Sequence, residues 1–302
     1  MTFLLSACRF SQSVVVRSVG PLEQVVRIIA EENAGSYITS LVLMHSPETY
    51  TPAQEFDYTP LSSLPNLVHL SLHHLLLVTL PPAYQSTLTS LALEQCNAIS
   101  FSPLIESSPL LTHLKLVDSE FNGVPRALPT KHDNLRQLTI DNSTNIDNLA
   151  TKIFLEELSE FVGSFPRLNS IRLGIPHWDE TEEAEWNGAV PLPNTLKSIA
   201  FTGPTSPFSA LFVEELATNR WPALEELKFG AGVGKTGEMQ NCCSMSEDEI
   251  WNLESAVRER GGIYLSINEG RVDVEKGSEM TVRNRSDDTL FCHLCVPSLS
   301  SS

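Results

Sequence analysis

Basic residues are scarce in this chain. Its 302 residues hold 20 Lys plus Arg against 37 Asp plus Glu, a net charge of −17. A surface of that sign repels phosphate and offers no clustered cations for counterion release, so nucleic acids and anionic membranes are excluded as partners. Long apolar runs are missing too. The longest, such as Leu75 to Val78, fall far short of the ~20 residues a membrane-spanning helix needs. No basic residue stands before the brief apolar stretch in Met1-Thr-Phe-Leu-Leu-Ser-Ala-Cys8, which argues against a secretory signal. Cysteines number only six and are unevenly spaced. A reduced setting, cytoplasmic or nuclear, is therefore expected, in which the sequons at Asn142 and Asn284 have no role.

What the chain does have is a phrase of three apolar residues, typified by Leu67-Val-His-Leu70-Ser-Leu72. It begins at Ile38, Leu67, Leu88, Leu111, Leu135, Leu168, Leu196 and Leu224, at intervals of 21 to 33 residues. Recurrence on that scale means a solenoid, in which each unit buries its apolar edge against its neighbours. Alternation within a phrase, as in Leu91-Ala92-Leu93, is a strand's period of two. Leu88, Leu91, Leu93, Cys96 and Ile99 follow the leucine-rich-repeat pattern, with Cys96 at the position that takes Asn or Cys. Helix-compatible segments lie between phrases, at Pro21 to Glu32, Pro103 to Ser108, Phe154 to Gly163, Phe208 to Asn219 and Ser246 to Arg260. Pro65, Pro109, Pro166 and Pro222 then close the unit just before the next strand.

The expected fold is thus an α/β leucine-rich-repeat solenoid: curved, with parallel strands on the concave face and irregular helices on the convex face. One domain spans 13–267, starting with the strand Ser13 to Val19 and a cap helix at Pro21 to Glu32. It ends with a helix stopped at Gly261-Gly262 and a last strand at Ile263 to Ile267. Residues 1–12 are expected to be a flexible start and 268–302 a flexible polar tail.

Chemical motifs mostly fail on spacing. Gly230-Ala-Gly-Val-Gly-Lys-Thr236 resembles a phosphate loop, but four residues must separate its first Gly from Gly-Lys-Thr, and that position is Phe229, an apolar repeat position. Cys292-His-Leu-Cys295 has the spacing of half a zinc site, and the only other close pair, Cys242-Cys243, is adjacent rather than spaced. No Ser, His and Asp set falls in a nucleophile-elbow context. No metal, no cofactor and no enzyme activity are expected.

Binding is expected on the concave face, where the residue between the second and third apolar positions of each phrase points. With its two flanking positions, the eight phrases offer 24 side chains, among them three Lys or Arg, three Asp or Glu and three His. This face is near neutral on an acidic chain. The residues expected to contact a protein partner are His69, Ser71, His73, His113, Lys115, Gln137, Thr139 and Arg172, with Lys115 and Arg172 receiving an acidic or carboxylate-bearing segment. A second candidate is the loop from His177 to Trp186, where five carboxylates lie between Trp178 and Trp186. Its simpler reading is a solvated loop whose tryptophans fold back on the solenoid.

Three passages carry a resemblance. Arg17-Ser-Val-Gly-Pro-Leu-Glu-Gln24 leads through an apolar helix to Ala34-Gly-Ser-Tyr-Ile-Thr-Ser-Leu-Val-Leu43, Pro precedes the strand in Leu64-Pro-Asn-Leu-Val-His-Leu70, and the body closes on Leu253-Glu-Ser-Ala-Val-Arg-Glu-Arg-Gly-Gly-Ile-Tyr-Leu265. Over about 13–267 the chain resembles the leucine-rich-repeat portion of fungal F-box-like proteins. That resemblance implies a substrate receptor, whose repeats hold a target while the F-box docks an adaptor of a ubiquitin ligase. Only 37 residues precede the first phrase, too few for a complete F-box. The expectation is that the module lies upstream of Met1 or has been lost, so the adaptor is a partner only in the first case. The alternative is a free-standing scaffold or inhibitor.

Overall fold

In the computed structural model, the described residues are 13–18, 34–45, 54–57, 61, 64–79, 87–98, 105–117, 120–121, 131–141, 158, 160–174, 192–202, 210–230, 247–267, 270–273 and 281–283. The cap helix expected at Pro21 to Glu32 lies outside them. Two sheets organise these residues. The longer takes one strand from each unit: β1 (Ser13–Ser18), β2 (Ser40–His45), β4 (His69–His73), β6 (Ser90–Glu94), β8 (His113–Val117), β10 (Gln137–Asp141), β11 (Ser170–Gly174), β12 (Ser198–Thr202), β13 (Glu226–Gly230) and β14 (Tyr264–Ile267). All ten are parallel and ordered as in the chain, which is the topology of a leucine-rich-repeat solenoid.

Burial follows the phrase. Its first apolar residues, Ile38, Leu67, Leu88, Leu111, Leu135, Leu168, Leu196 and Leu224, are all buried, and so are the two strand leucines, isoleucines or phenylalanines after each. The strands therefore read exposed or half-exposed, buried, half-exposed or exposed, buried. Cys96 is fully buried, and its thiol donates to the carbonyl of Leu72 in the preceding unit (3.3 Å), the service an Asn or Cys gives at this position. Burial pushes that thiol up to about 12, so it stays protonated and unreactive.

Neighbouring units are joined where each strand begins. The carbonyl of Val68 accepts both the amide of Thr89 and that of Ser90; the carbonyl of Thr89 in turn accepts Thr112 and His113. The same doubling occurs at Thr39, Thr112, Arg136, Asn169 and Lys197, with donor–acceptor distances of 2.7 to 3.1 Å throughout. Side chains add a parallel set of links. Asn66 donates to the Ser36 carbonyl (2.7 Å), Thr87 to Leu67 (2.9 Å), Asn134 to Pro109 (2.8 Å) and Thr195 to Leu168 (2.6 Å). The prolines play a more specific part than closing a helix. Pro65, Pro109, Pro166 and Pro222 each hold the second position of a turn whose last amide, on the first leucine of the phrase, bonds back three residues (3.0 to 3.2 Å).

In the early units the connections carry strands as well as the helical residues Ile105 and Glu106, which fall in the segment expected from Pro103 to Ser108. There a second parallel sheet forms from β3 (Gln54–Asp57), β5 (Leu75–Thr79), β7 (Asn97–Ala98) and β9 (Glu120–Phe121). Units beginning at Leu67, Leu88 and Leu111 are the shortest, and after the first strand and the closing turn too few residues remain for a long helix. Short strands pair across units instead and satisfy their backbone groups there. At β5 the apolar run from Leu75 is this strand. Entry to it is abrupt: His74 and Gln95 adopt left-handed backbone conformations at φ 56° and 52°. Later, longer units carry helices, α1 (Ala210–Ala217) and α2 (Glu247–Arg260), which pack against each other. Arg258 and Arg260 occupy the last turn of α2, and Gly261 and Gly262 follow it at φ 67° and 77°, a helix stop that only glycine adopts without strain.

The sheet also runs past Ile267. β15 (Gly270–Asp273) pairs antiparallel with β14, and β16 (Thr281–Arg283) with β15. Part of the segment read as tail therefore pairs its backbone: the far edge of β14 offers a row of amides and carbonyls, which a polar strand can satisfy as well as an apolar one.

In the units with helices the core turns aromatic. Phe201 stacks on Phe229 (5.6 Å between centroids) and meets Phe212 edge-on at the same separation, while Trp221 donates its indole N–H to the Leu192 carbonyl (3.4 Å). Wider units need larger fillers, and rings supply them. Truncating Phe201, which is 1 % exposed, is expected to cost about 3–5 kcal/mol. Urea unfolding of Phe201→Ala checks this, with Val15→Ala on the exposed side of β1 as a variant expected to change little.

Candidate functional site

Parallel pairing aligns the outward residues into three rows across the long sheet. The middle row runs Val42, Ser71, Ala92, Lys115, Thr139, Arg172, Ala200, Lys228 and Ser266, each the direct partner of the next. The row before it runs from Ser40 through His69, Ser90, His113, Gln137, Ser170 and Ser198 to Glu226. The row after it includes Met44, His73, Glu94, Val117, Asp141, Gly174 and Thr202. The eight face residues selected from the sequence thus share one open face. Trp178 and Trp186 lie outside the described residues, as do Cys242, Cys243, Cys292 and Cys295. Phe229, which breaks the phosphate-loop spacing, is buried in the core.

The charges on this face are mostly engaged with one another. Lys115 Nζ lies 2.5 Å from Glu94 Oε1, and His73 Nδ1 lies 3.3 Å from Glu94 Oε2. Lys228 pairs with Glu226 at 2.7 Å, and Ser198 donates to the other oxygen of Glu226 at 2.8 Å. Asp141 reaches over Gly174 to receive the Thr202 hydroxyl at 3.2 Å. A β-carbon on Gly174 would sit 1.9 Å from Asp141 Oδ1, so glycine is what leaves that path open. Arg172 is exposed and, among the described residues, makes no ion pair. About two strand spacings, roughly 10 Å, separate it from Lys115. His113 bonds the Thr112 hydroxyl (2.7 Å).

Glu94 is the residue the sequence reading passes over. Its carboxylate takes hydrogen bonds from His73 and from Lys115, and Ser71 extends the chain by bonding His73 Nε2 at 2.9 Å. The signal was available: with β4 and β6 in register, His73 and Glu94 are direct partners. The His73 hydrogen bond, aided by Lys115 and opposed by partial burial, brings the Glu94 carboxyl down from the usual 4.5 to about 2. Among the described residues no His, Cys, Asp and Glu group has the arrangement to hold a metal ion.

No protein-family model and no curated protein matches this chain. Among solved structures it is similar to an internalin (inlF) from Listeria monocytogenes, at 14 % identity and a TM-score of 0.42, over 83 % of this chain and 75 % of that one. No helix among the described residues is long and apolar enough to cross a membrane.

A carboxyl lowered in the folded state gives stability that is present above its unfolded value of 4.5 and fades as pH falls toward about 2. Because His73 is the larger cause, His73→Ala is expected to raise the Glu94 titration midpoint more than Lys115→Ala does. NMR titration of the Glu94 side-chain carboxyl measures both.

Proposed function

We propose that this chain binds a protein partner across the open face of its long sheet, with Arg172 anchoring a carboxylate-bearing segment. The supporting observation is the distribution of free charge. Lys115 and Lys228 each have an acidic partner on the face itself, whereas Arg172 stands exposed and, among the described residues, without one. Thr139 is its direct neighbour in the row, with Gln137 and Ser170 on one side, so hydroxyl and amide donors border a planar guanidinium there, while Asp141 on the other side receives the Thr202 hydroxyl. That set suits a carboxylate, which a guanidinium grips through two hydrogen bonds at once. Lys115 joins only if an incoming acid competes with Glu94, and His69, Ser71, His73 and His113 border the same surface.

The chain acts in this reading by holding its partner rather than by turning over a substrate. The resemblance to fungal F-box-like proteins supports a finer version: an intracellular, cytoplasmic or nuclear, receptor presenting a target for ubiquitin transfer. A free-standing scaffold would use the same face, and an in-frame F-box exon upstream of Met1 distinguishes the two. Trp178 and Trp186 remain a second proposed contact.

Panning a random peptide library against the chain is expected to enrich carboxylate-bearing peptides. Arg172→Glu should weaken the enriched peptides at least tenfold, since a hydrogen bond to a charged group contributes about 1.5–3 kcal/mol, while circular dichroism stays unchanged. Enriched peptides indifferent to Arg172→Glu and to Lys115→Glu would contradict the assignment of this face.

A further inference from the structure

We propose that Ser71 is an activated nucleophile that accepts an acyl group from an ester or thioester. This goes beyond the binding role, and it rests on a geometry that partner capture does not need. Strand alternation puts Ser71 and His73 on the same face of β4, two residues apart, with Oγ 2.9 Å from Nε2. On β6, the direct partner of His73 is Glu94, whose Oε2 lies 3.3 Å from Nδ1. Lys115 holds the other carboxylate oxygen at 2.5 Å.

The order of protons follows from these contacts. Glu94 is ionised at neutral pH, and a carboxylate only accepts, so Nδ1 carries the imidazole proton. Nε2 is then left with its lone pair, and the Ser71 hydroxyl must donate to it. Hydroxyl, imidazole and carboxylate in that sequence are the arrangement by which a serine is made nucleophilic. No nucleophile-elbow context marks Ser71 in the sequence, because the three groups meet only where β4 and β6 pair.

In the step itself, Ser71 Oγ attacks the carbonyl carbon, forming the Oγ–C bond while the C–O or C–S bond to the leaving group breaks. The hydroxyl proton passes to His73 Nε2 and from there to the departing alkoxide or thiolate. β4 is flanked by β2 and β6, and its amides serve those two ladders. No backbone N–H of β4 is left over to hold a developing oxyanion, so the transfer is slow by hydrolase standards and the acyl-serine persists. Ser71 is thus a modification site with its own base. Ser71 and His73 are the reacting groups; Glu94 and Lys115 position them.

The full chain incubated with p-nitrophenyl acetate, then mapped by peptide mass spectrometry, tests this. Acetylation is expected at Ser71 ahead of other serines, to vanish in Ser71→Ala, and to fall at least about tenfold in His73→Gln. Imidazole added to His73→Gly should restore part of the rate, and Glu94→Asp should retain more of it than Glu94→Gln, a difference that a purely structural carboxylate would not produce. Circular dichroism confirms that these variants stay folded. Acetylation of Ser71 no faster than that of other exposed serines, or equal rates in wild type and His73→Gln, would overturn the proposal.

Discussion

One backbone carbonyl at the entry of each strand accepts two amides from the next unit, and the rest of the molecule depends on that doubled bond. It recurs at seven successive junctions, from Thr39 to Lys197, and Glu225 receives Tyr264 at the next. Because it fixes where one strand starts against its neighbour, the register of every following pair is set. A slip of a single residue would turn each buried leucine outward and each open-face side chain inward. The proline turns and the Asn and Thr side-chain links act at the same corner, so three kinds of contact agree on one alignment.

Register then governs chemistry. Residues more than twenty positions apart in sequence become neighbours within hydrogen-bond reach, as His73 and Glu94 do. Within an acidic chain, the open face neutralises most of its own charge in local pairs: Glu94 with Lys115, and Glu226 with Lys228. For Glu226, partial burial works toward a higher pKa and is outweighed by the Lys228 and Ser198 hydrogen bonds, so its carboxyl too is held low. What remains unneutralised is local and specific, above all Arg172. The same alignment that makes the face unremarkable in net charge therefore gives it an anchor and an ordered proton chain a few strands apart.

Much of this was legible beforehand. The phrase located β2, β4, β6, β8, β10, β11, β12 and β13, the Arg-Gly-Gly stop located the end of α2, and Cys96 sat where the pattern required. These signals are local: a period of two, a cap, one residue in a fixed position. The second sheet was not foreseen, because β7 and β9 are two residues long and owe their existence to neighbours rather than to propensity. Nor was the role of Glu94. Each face residue was legible singly, but whether a lysine is free or engaged depends on side-chain reach across strands. Lys115 and Arg172 look alike in sequence, and each has a carboxylate at the same register position on the preceding strand, Glu94 and Asp141; they differ in the fold because Glu94 reaches Lys115 whereas Asp141 reaches Thr202.

The most direct measurement is of register itself, by oxidative crosslinking of paired cysteine substitutions followed by peptide mapping. Cα partners on adjacent strands lie within disulfide range and share a face. The account predicts a disulfide in Thr139→Cys/Arg172→Cys, whose positions are direct partners, and none in Thr139→Cys/Leu173→Cys, whose side chains point to opposite faces. Crosslinking of the second pair in preference to the first would contradict the alignment on which the open face, its anchor and its proton chain all rest.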